Sequence, residues 1–157
     1  MRAAVITVSD SSWQGTREDL SGPALCELVR QQGWELVSFG LLPDEHHLVA
    51  EELKRLCDED LADLVLTTGG TGCSPRDHTP EATLEVSERL VPGIPEAMRL
   101  RSLQVTPHAM LSRAVACIRK RTLIINMPGS PKAVRECMEA ILPALPHAVR
   151  IMRGEGE

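Results

Sequence analysis

The chain has 157 residues, 43% of them hydrophobic and 25% charged, with a formal net charge of −5. Such a chain holds one domain able to bury roughly two thirds of its unfolded surface, and its composition excludes intrinsic disorder. The acidic balance excludes the basic footprint that nucleic acid or an anionic membrane demands, and no apolar run approaches the ~20 residues of a membrane span.

Met1 to Ile6 runs straight into a strand pattern with no cleavage-site logic, so a cytoplasmic location is expected. Residues 1–157 read as a single domain. The five cysteines (Cys26, Cys57, Cys73, Cys117 and Cys137) are scattered and form no C-x-x-C pair, which implies neither a disulfide framework nor a zinc knuckle. They read as small core residues, with Cys73, inside a glycine loop, the partly exposed exception.

Apolar runs alternate with helix-period segments along the chain, the mark of βαβ units on a mostly parallel sheet. Ala3 to Val8 is a short β-branched run suited to a strand covered on both faces. A polar loop follows; then Ala24, Leu25, Leu28 and Val29 form one helical stripe, with Ser21 as the expected N-cap and Gly33 as terminator. Trp34 to Leu42 returns as a strand, and Pro43-Asp44 opens a helix with Val49, Leu53 and Leu56 on one face.

Leu61 to Thr68 is the next strand and empties into Gly69-Gly70-Thr71-Gly72. Thr79-Pro80-Glu81 predicts an N-cap and a helix from about Pro80 to Arg89, and Gly93 to Leu103 is a weaker helical stretch. Ala114 to Ile118 and Thr122 to Asn126, separated by Arg119-Lys120-Arg121, are too close for a crossover and predict a hairpin, hence one antiparallel strand. After Pro128-Gly129-Ser130-Pro131-Lys132, Val134, Met138 and Ile141 mark another helix, broken from a last one near Pro143 and Pro146.

Ligands of open α/β sheets bind beyond the carboxyl ends of the strands. The loop there with the most chemistry is Thr68 to Asp77. Its glycines Gly69, Gly70 and Gly72 let the backbone turn its N–H groups onto an anion, Thr71 and Ser74 add hydroxyls, and Arg76 supplies a fork for phosphate. A plain tight turn does not call for Gly, Thr, Arg and Asp in so short a stretch. The loop lacks the Gly-Lys-Ser/Thr of a Walker A motif.

Asp44 fits either a helix N-cap or, with Asp77, a carboxylate pair for Mg²⁺ on a nucleoside triphosphate. Ser9 and Asp10 are further oxygen sources at the same edge. Gly129, Ser130 and Lys132 fit either a second phosphate grip or an ordinary strand-to-helix connection. His46 and His47 are adjacent, and His78, His108 and His147 have no ligand-spaced partner, so no zinc is expected.

Together the loops resemble the molybdopterin adenylyltransferases of molybdenum cofactor biosynthesis. Thr67 to Ala82 (TTGGTGCSPRDHTPEA) is similar to their signature, with support from Thr7-Val8-Ser9-Asp10-Ser11, Glu18 to Gly22, Pro43-Asp44-Glu45, Thr106-Pro107 with Leu111-Ser112-Arg113, and Asn126 to Lys132. The similarity runs from Val5 to about Met152 and extends to the N-terminal domain of gephyrin. It implies a three-layer α/β sandwich with a mostly parallel sheet and one antiparallel strand, assembled as a homotrimer.

The resemblance also implies the reaction: AMP passes from Mg-ATP to the terminal phosphate of molybdopterin and pyrophosphate is released. A transient contact with the molybdenum-inserting enzyme would follow. By the same resemblance Asp44 and Asp77 are the metal-linked catalytic carboxylates. Ser9, Asp10, Thr68, Gly69, Gly70, Thr71, Gly72, Arg76, Gly129, Ser130 and Lys132 then bind phosphate, nucleotide or pterin. With aromatics at 2%, polar edge contacts rather than stacking must hold a pterin. The alternatives are a non-catalytic molybdopterin-binding or scaffold homologue and a nucleotide pyrophosphatase using the same loops.

Overall fold

Along the first strand, odd and even residues face two different cores. Ala3 and Val5 pack in one apolar cluster with Leu25, Val29, Val134 and Met138; Ala4, Ile6 and Val8 pack in another with Val49, Leu53, Ala82 and Val86. This period-two split means that the sheet is covered on both faces, giving three layers. The computed structural model that reveals this describes residues 1–156.

Six strands, β1 (Arg2–Val8), β2 (Glu35–Leu42), β3 (Leu64–Thr68), β4 (Arg89–Leu90), β5 (Ala116–Arg119) and β6 (Thr122–Met127), form one sheet in the order β2-β1-β3-β6-β5-β4. The first four in that order are mutually parallel; β5 pairs antiparallel with both β6 and β4, so it alone runs against the rest. The expected hairpin and single antiparallel strand are therefore present. Helices α2 (Ser21–Gln31), α5 (Gly93–Leu103), α6 (Pro131–Ile141) and α7 (Leu145–Met152) contribute to one core, and α3 (His46–Asp58) and α4 (Thr79–Val86) to the other. Among the described residues, no helix is long and apolar enough to cross a membrane.

Several local expectations need correction. The polar loop after β1 contains a short helix, α1 (Asp10–Trp13), capped by the Ser9 hydroxyl, which accepts from the Ser12 amide at 3.2 Å. Ser21 does not cap α2: it is the first helical residue, and the carboxylate of Asp19 accepts the Gly22 amide at 3.0 Å instead. Asp44 does not cap α3, which starts at His46. Thr79 lies inside α4, with its hydroxyl donating to the Gly69 carbonyl at 3.0 Å, and α4 stops at Val86, where the chain turns into β4. Exposed Arg89-Leu90 carries no strand period, and its pairing with Cys117 and Ile118 makes it a strand. Ser130 does cap α6, accepting from the Ala133 amide at 3.2 Å.

Candidate active site

The parallel register brings four loops to one edge. Val8 pairs with Leu42, Thr7 with Thr68, and Thr68 with Met127, so Ser9, Asp44, Gly69 and Gly129 emerge side by side although far apart in sequence. Gly69 and Gly70 have φ of +96° and +68°. A Cβ on Gly69 would overlap the carbonyl oxygen of Val8, and one on Gly70 would overlap the Thr79 hydroxyl and lie 3.0 Å from Asp44 Oδ1. Only glycine meets both the conformation and the close approach.

The carbonyls of the glycine loop are all occupied. Gly69 accepts from the Thr79 hydroxyl at 3.0 Å, Gly70 from the Thr79 amide at 3.2 Å, Thr71 from the Arg113 amide at 2.9 Å and Gly72 from Arg113 Nε at 2.6 Å. In a planar trans peptide the carbonyl and the following N–H point in opposite directions. The amides of Gly70, Thr71, Gly72 and Cys73 therefore point away from the groups that hold those carbonyls. Among the described residues the amides of Gly70, Thr71 and Gly72 have no acceptor of their own, which makes the turn a nest for an anion.

A cavity of about 200 Å³ at this edge is lined by Ser9, Asp44, Thr68, Gly69, Gly70 and Asp77 together with Thr7, Ser12, Arg17, Glu18, Asp19, Leu20 and Ser21. Burial pushes the Asp44 carboxyl above the usual carboxylate range; the Asp10 amide opposes this, while the charges of Asp10 and Asp77 add to it. Its Oδ2 accepts the Asp10 amide at 2.8 Å, whereas Oδ1 is buried with no hydrogen-bond partner. Asp77 is oriented by its own turn, with Oδ2 accepting the Ser74 amide at 3.0 Å. An orphaned buried carboxylate oxygen beside a second carboxylate fits a hard cation such as Mg²⁺, which takes one or two carboxylates and completes its shell with water and phosphate oxygens. Among the described residues no group of three or more His, Cys, Asp or Glu is placed to hold a metal, so such an ion would depend on those other oxygens.

The remaining expected residues sit around this centre. Arg76 Nε donates to Asp10 Oδ2 at 2.8 Å and its Nη2 to Glu45 Oε1 at 3.0 Å, latching the glycine loop to the first and second loops. That hydrogen bond from Arg76 holds the Asp10 carboxyl below its ordinary range against the opposing effect of desolvation. Gly129 lies against Gly69: a Cβ there would be 3.5 Å from the Gly69 Cα. The Lys132 ammonium is exposed, with Glu136 3.9 Å away.

On the far side of the glycine loop a second cavity, about 280 Å³, is lined by Thr71 and Gly72 of that loop and by Pro95, Met98 and Ala133. Arg99, Ser102, Thr106, Ser112 and Glu136 supply polar groups around it. Only the Thr71-Gly72 wall of this cavity belongs to the site expected from sequence. The others were missed because they lie on α5, on the 3₁₀ turn Pro107–Leu111 and just beyond it, and on α6, elements that meet only on folding. Signals were present in the polar interruptions Arg99 and Ser102 of α5 and in Ser112.

Comparison with known proteins shows the family. Residues 4–147 match the family described as "Probable molybdopterin binding domain". The chain is similar to the molybdopterin adenylyltransferase of Helicobacter pylori strain J99, at 45% identity over 152 residues, covering 96% of this chain and 86% of that one. Gephyrin of Dictyostelium discoideum is 40% identical over 161 residues, covering 96% of this chain and 22% of gephyrin. The crystal structure of the molybdopterin biosynthesis enzyme MoaB of Thermus thermophilus superposes with a TM-score of 0.91 at 48% identity, covering 98% of this chain and 96% of that one. With residues 4–147 matched by that family and relatives 40–48% identical over nearly its whole length, the chain belongs to the molybdopterin-binding domain family.

Proposed function

We propose that the protein is a molybdopterin adenylyltransferase that uses ATP and Mg²⁺. The observation that carries this reading is the meeting of Asp44, with its partnerless Oδ1, and Asp77 in one cavity lined by Gly69 and Gly70 of the glycine loop. In the reaction a terminal phosphate oxygen of molybdopterin forms a bond to the α-phosphorus of ATP as the bond to the β-phosphate oxygen breaks. The products are an adenylated molybdopterin and pyrophosphate.

The nucleophile is already an anion and needs no strong base. The barrier lies in bringing two anions into line, which fixed donors relieve. Backbone amides of the glycine loop neutralise phosphate charge without reorganising, because their partner carbonyls are tied down. Asp44 and Asp77 would hold Mg²⁺, which screens the phosphate oxygens when bound. Thr68 and Ser9 add hydroxyls at the same cavity, and by the family resemblance Arg76, Gly129, Ser130 and Lys132 would bind phosphate, nucleotide or pterin.

The second cavity suits the pterin, whose flat apolar faces fit against Met98 and Pro95 while Ser102, Ser112 and Arg99 surround its polar edge. The glycine loop, with Gly69 and Gly70 on the first cavity and Thr71 and Gly72 on the second, would separate the pterin from its reacting phosphate. The family resemblance supports a homotrimer in the cytoplasm that hands its product to a molybdenum-inserting enzyme.

Incubation with molybdopterin, ATP and Mg²⁺ tests the reading. Stoichiometric adenylated pterin and pyrophosphate are expected; pyrophosphate release without pterin, or no product from folded protein, would refute it.

A further inference from the structure

Arg113 stands just ahead of β5, at the edge where the parallel strands end, because β5 runs the opposite way. It lines neither cavity. Its guanidinium nevertheless reaches three points on the glycine loop and the helix after it. Nε donates to the Gly72 carbonyl at 2.6 Å, Nη2 donates to the Asp77 carbonyl at 2.9 Å, and Nη1 pairs with the Glu81 carboxylate. The backbone amide of Arg113 adds a fourth, the Thr71 carbonyl at 2.9 Å.

A planar guanidinium with its donors in fixed directions can hold three acceptors in one geometry, whereas the compact ammonium of lysine cannot. Burial raises the Glu81 carboxyl, but the hydrogen bond from Arg113, a backbone hydrogen bond and the nearby positive charge together outweigh it and keep the group below its usual range, so the pair is charged at neutral pH. Away from Arg113, Asp77 is held locally by the turn with Ser74, through Asp77 Oδ2 to the Ser74 amide and the Asp77 amide to the Ser74 carbonyl, each at 3.0 Å. Arg113 is thus the link that joins the end of the nest to the backbone of the carboxylate it serves.

We infer that Arg113 is a positioning residue for adenylyl transfer: through the carbonyls of Gly72 and Asp77 it fixes the spacing between the anion-binding amides and the Asp77 carboxylate without touching either substrate. The inference rests on the proposed reaction, and its test separates the two. Wild type, Arg113→Lys and Glu81→Gln are compared for kcat, for KM of ATP and of molybdopterin, for thermal unfolding, and for amide hydrogen exchange across residues 69–78.

Arg113→Lys is expected to lower kcat by about 100-fold, the effect of a displacement near 1 Å at a reacting centre. KM values should stay within about threefold, as when only transition-state geometry is lost. Exchange should quicken at Gly72 to Asp77, and Glu81→Gln should show the same pattern with a smaller loss of kcat. Folded variants that turn over like wild type, or a loss of rate matching only the fraction unfolded, overturn the role. If Arg113→Lys does not fold, Glu81→Gln decides by the same criteria. Wild type that yields no adenylated product refutes the proposed reaction instead; exchange then reads the positioning alone, and unchanged exchange in the variants overturns it.

Discussion

Asp10 and Asp44 each accept the other's backbone amide, Asp10 N–H to Asp44 Oδ2 at 2.8 Å and Asp44 N–H to Asp10 Oδ1 at 2.9 Å. This reciprocal clasp ties the loop after β1 to the loop after β2 and aims the second Asp44 oxygen, Oδ1, toward Gly70. The clasp accounts for why Asp44 is not the helix cap that its position suggested.

Asp44→Asn keeps an oxygen for the Asp10 amide but removes the charge beside Asp77. Turnover should fall at least about 100-fold, the scale of losing a preorganised electrostatic group. Melting temperature should hold or rise, since a buried carboxylate facing two others opposes folding. Steady-state rates and a thermal scan check both; a variant with wild-type turnover contradicts the assignment of Asp44.

Asp77→Asn should retain binding of molybdopterin while losing turnover to a similar degree. Equilibrium binding of the pterin, measured beside the rate of pyrophosphate release, separates the two effects. Loss of binding with an unchanged rate at saturation would point to a substrate-holding role instead.

Gly69→Ala forces a side chain into a positive φ and against the Val8 carbonyl. A destabilisation of about 1–3 kcal/mol is expected from the strained backbone, with further loss from the overlap. Urea unfolding measures it, and an unchanged midpoint would mean that the loop can move away from β1.

Asp63 is 2% exposed and joins both ends of the chain. It accepts the Arg2 amide at 2.6 Å and Arg2 Nη2 at 2.9 Å, and it pairs with Arg153 beyond α7. Burial raises its pKa, but the hydrogen bonds from Arg2 and Arg153 outweigh this and hold it at about 2. Because the folded value lies below the unfolded value of ~3.9, the stabilisation is fully present above that value and disappears as pH falls through about 2. The shift corresponds to about 2–3 kcal/mol. Unfolding of wild type and Asp63→Asn should therefore differ most near pH 7 and converge toward pH 2; a constant difference would contradict the ionic origin.

The sequence assigns Arg76 to a phosphate, and in the structure Asp10 and Glu45 occupy its fork. Its side chain is half exposed, so Arg76→Gln should leave stability nearly unchanged. If the fork also receives phosphate, KM for ATP should rise while melting temperature barely moves. An unchanged KM would leave Arg76 as a latch between loops.

Which parts of this molecule could be read from its residues follows from how local their causes are. The β-branched run Ala3 to Val8, the glycine stop after Thr68, and Ser130-Pro131 at the start of α6 act through neighbouring backbone atoms, so their elements were legible. β4 was not, because two exposed residues become a strand only through pairing with β5. Asp19, not Ser21, receives a first-turn amide of α2, and its carboxylate is held there by the Thr7 hydroxyl at 2.7 Å, a contact from another element.

The site divides in the same way. Composition, strand order of appearance and the Gly69-to-Asp77 motif by themselves determined an acidic α/β domain with a glycine turn at a strand end, since glycine conformations and strand periodicity are properties of short stretches of chain. Only the tertiary structure decided that Asp44 caps no helix but clasps Asp10, that Arg76 already holds two carboxylates, and that Arg113 braces the loop from 36 residues beyond Asp77. Those outcomes depend on side chains competing for the same donors and acceptors at a sheet edge, and that competition exists only once the strands lie in register.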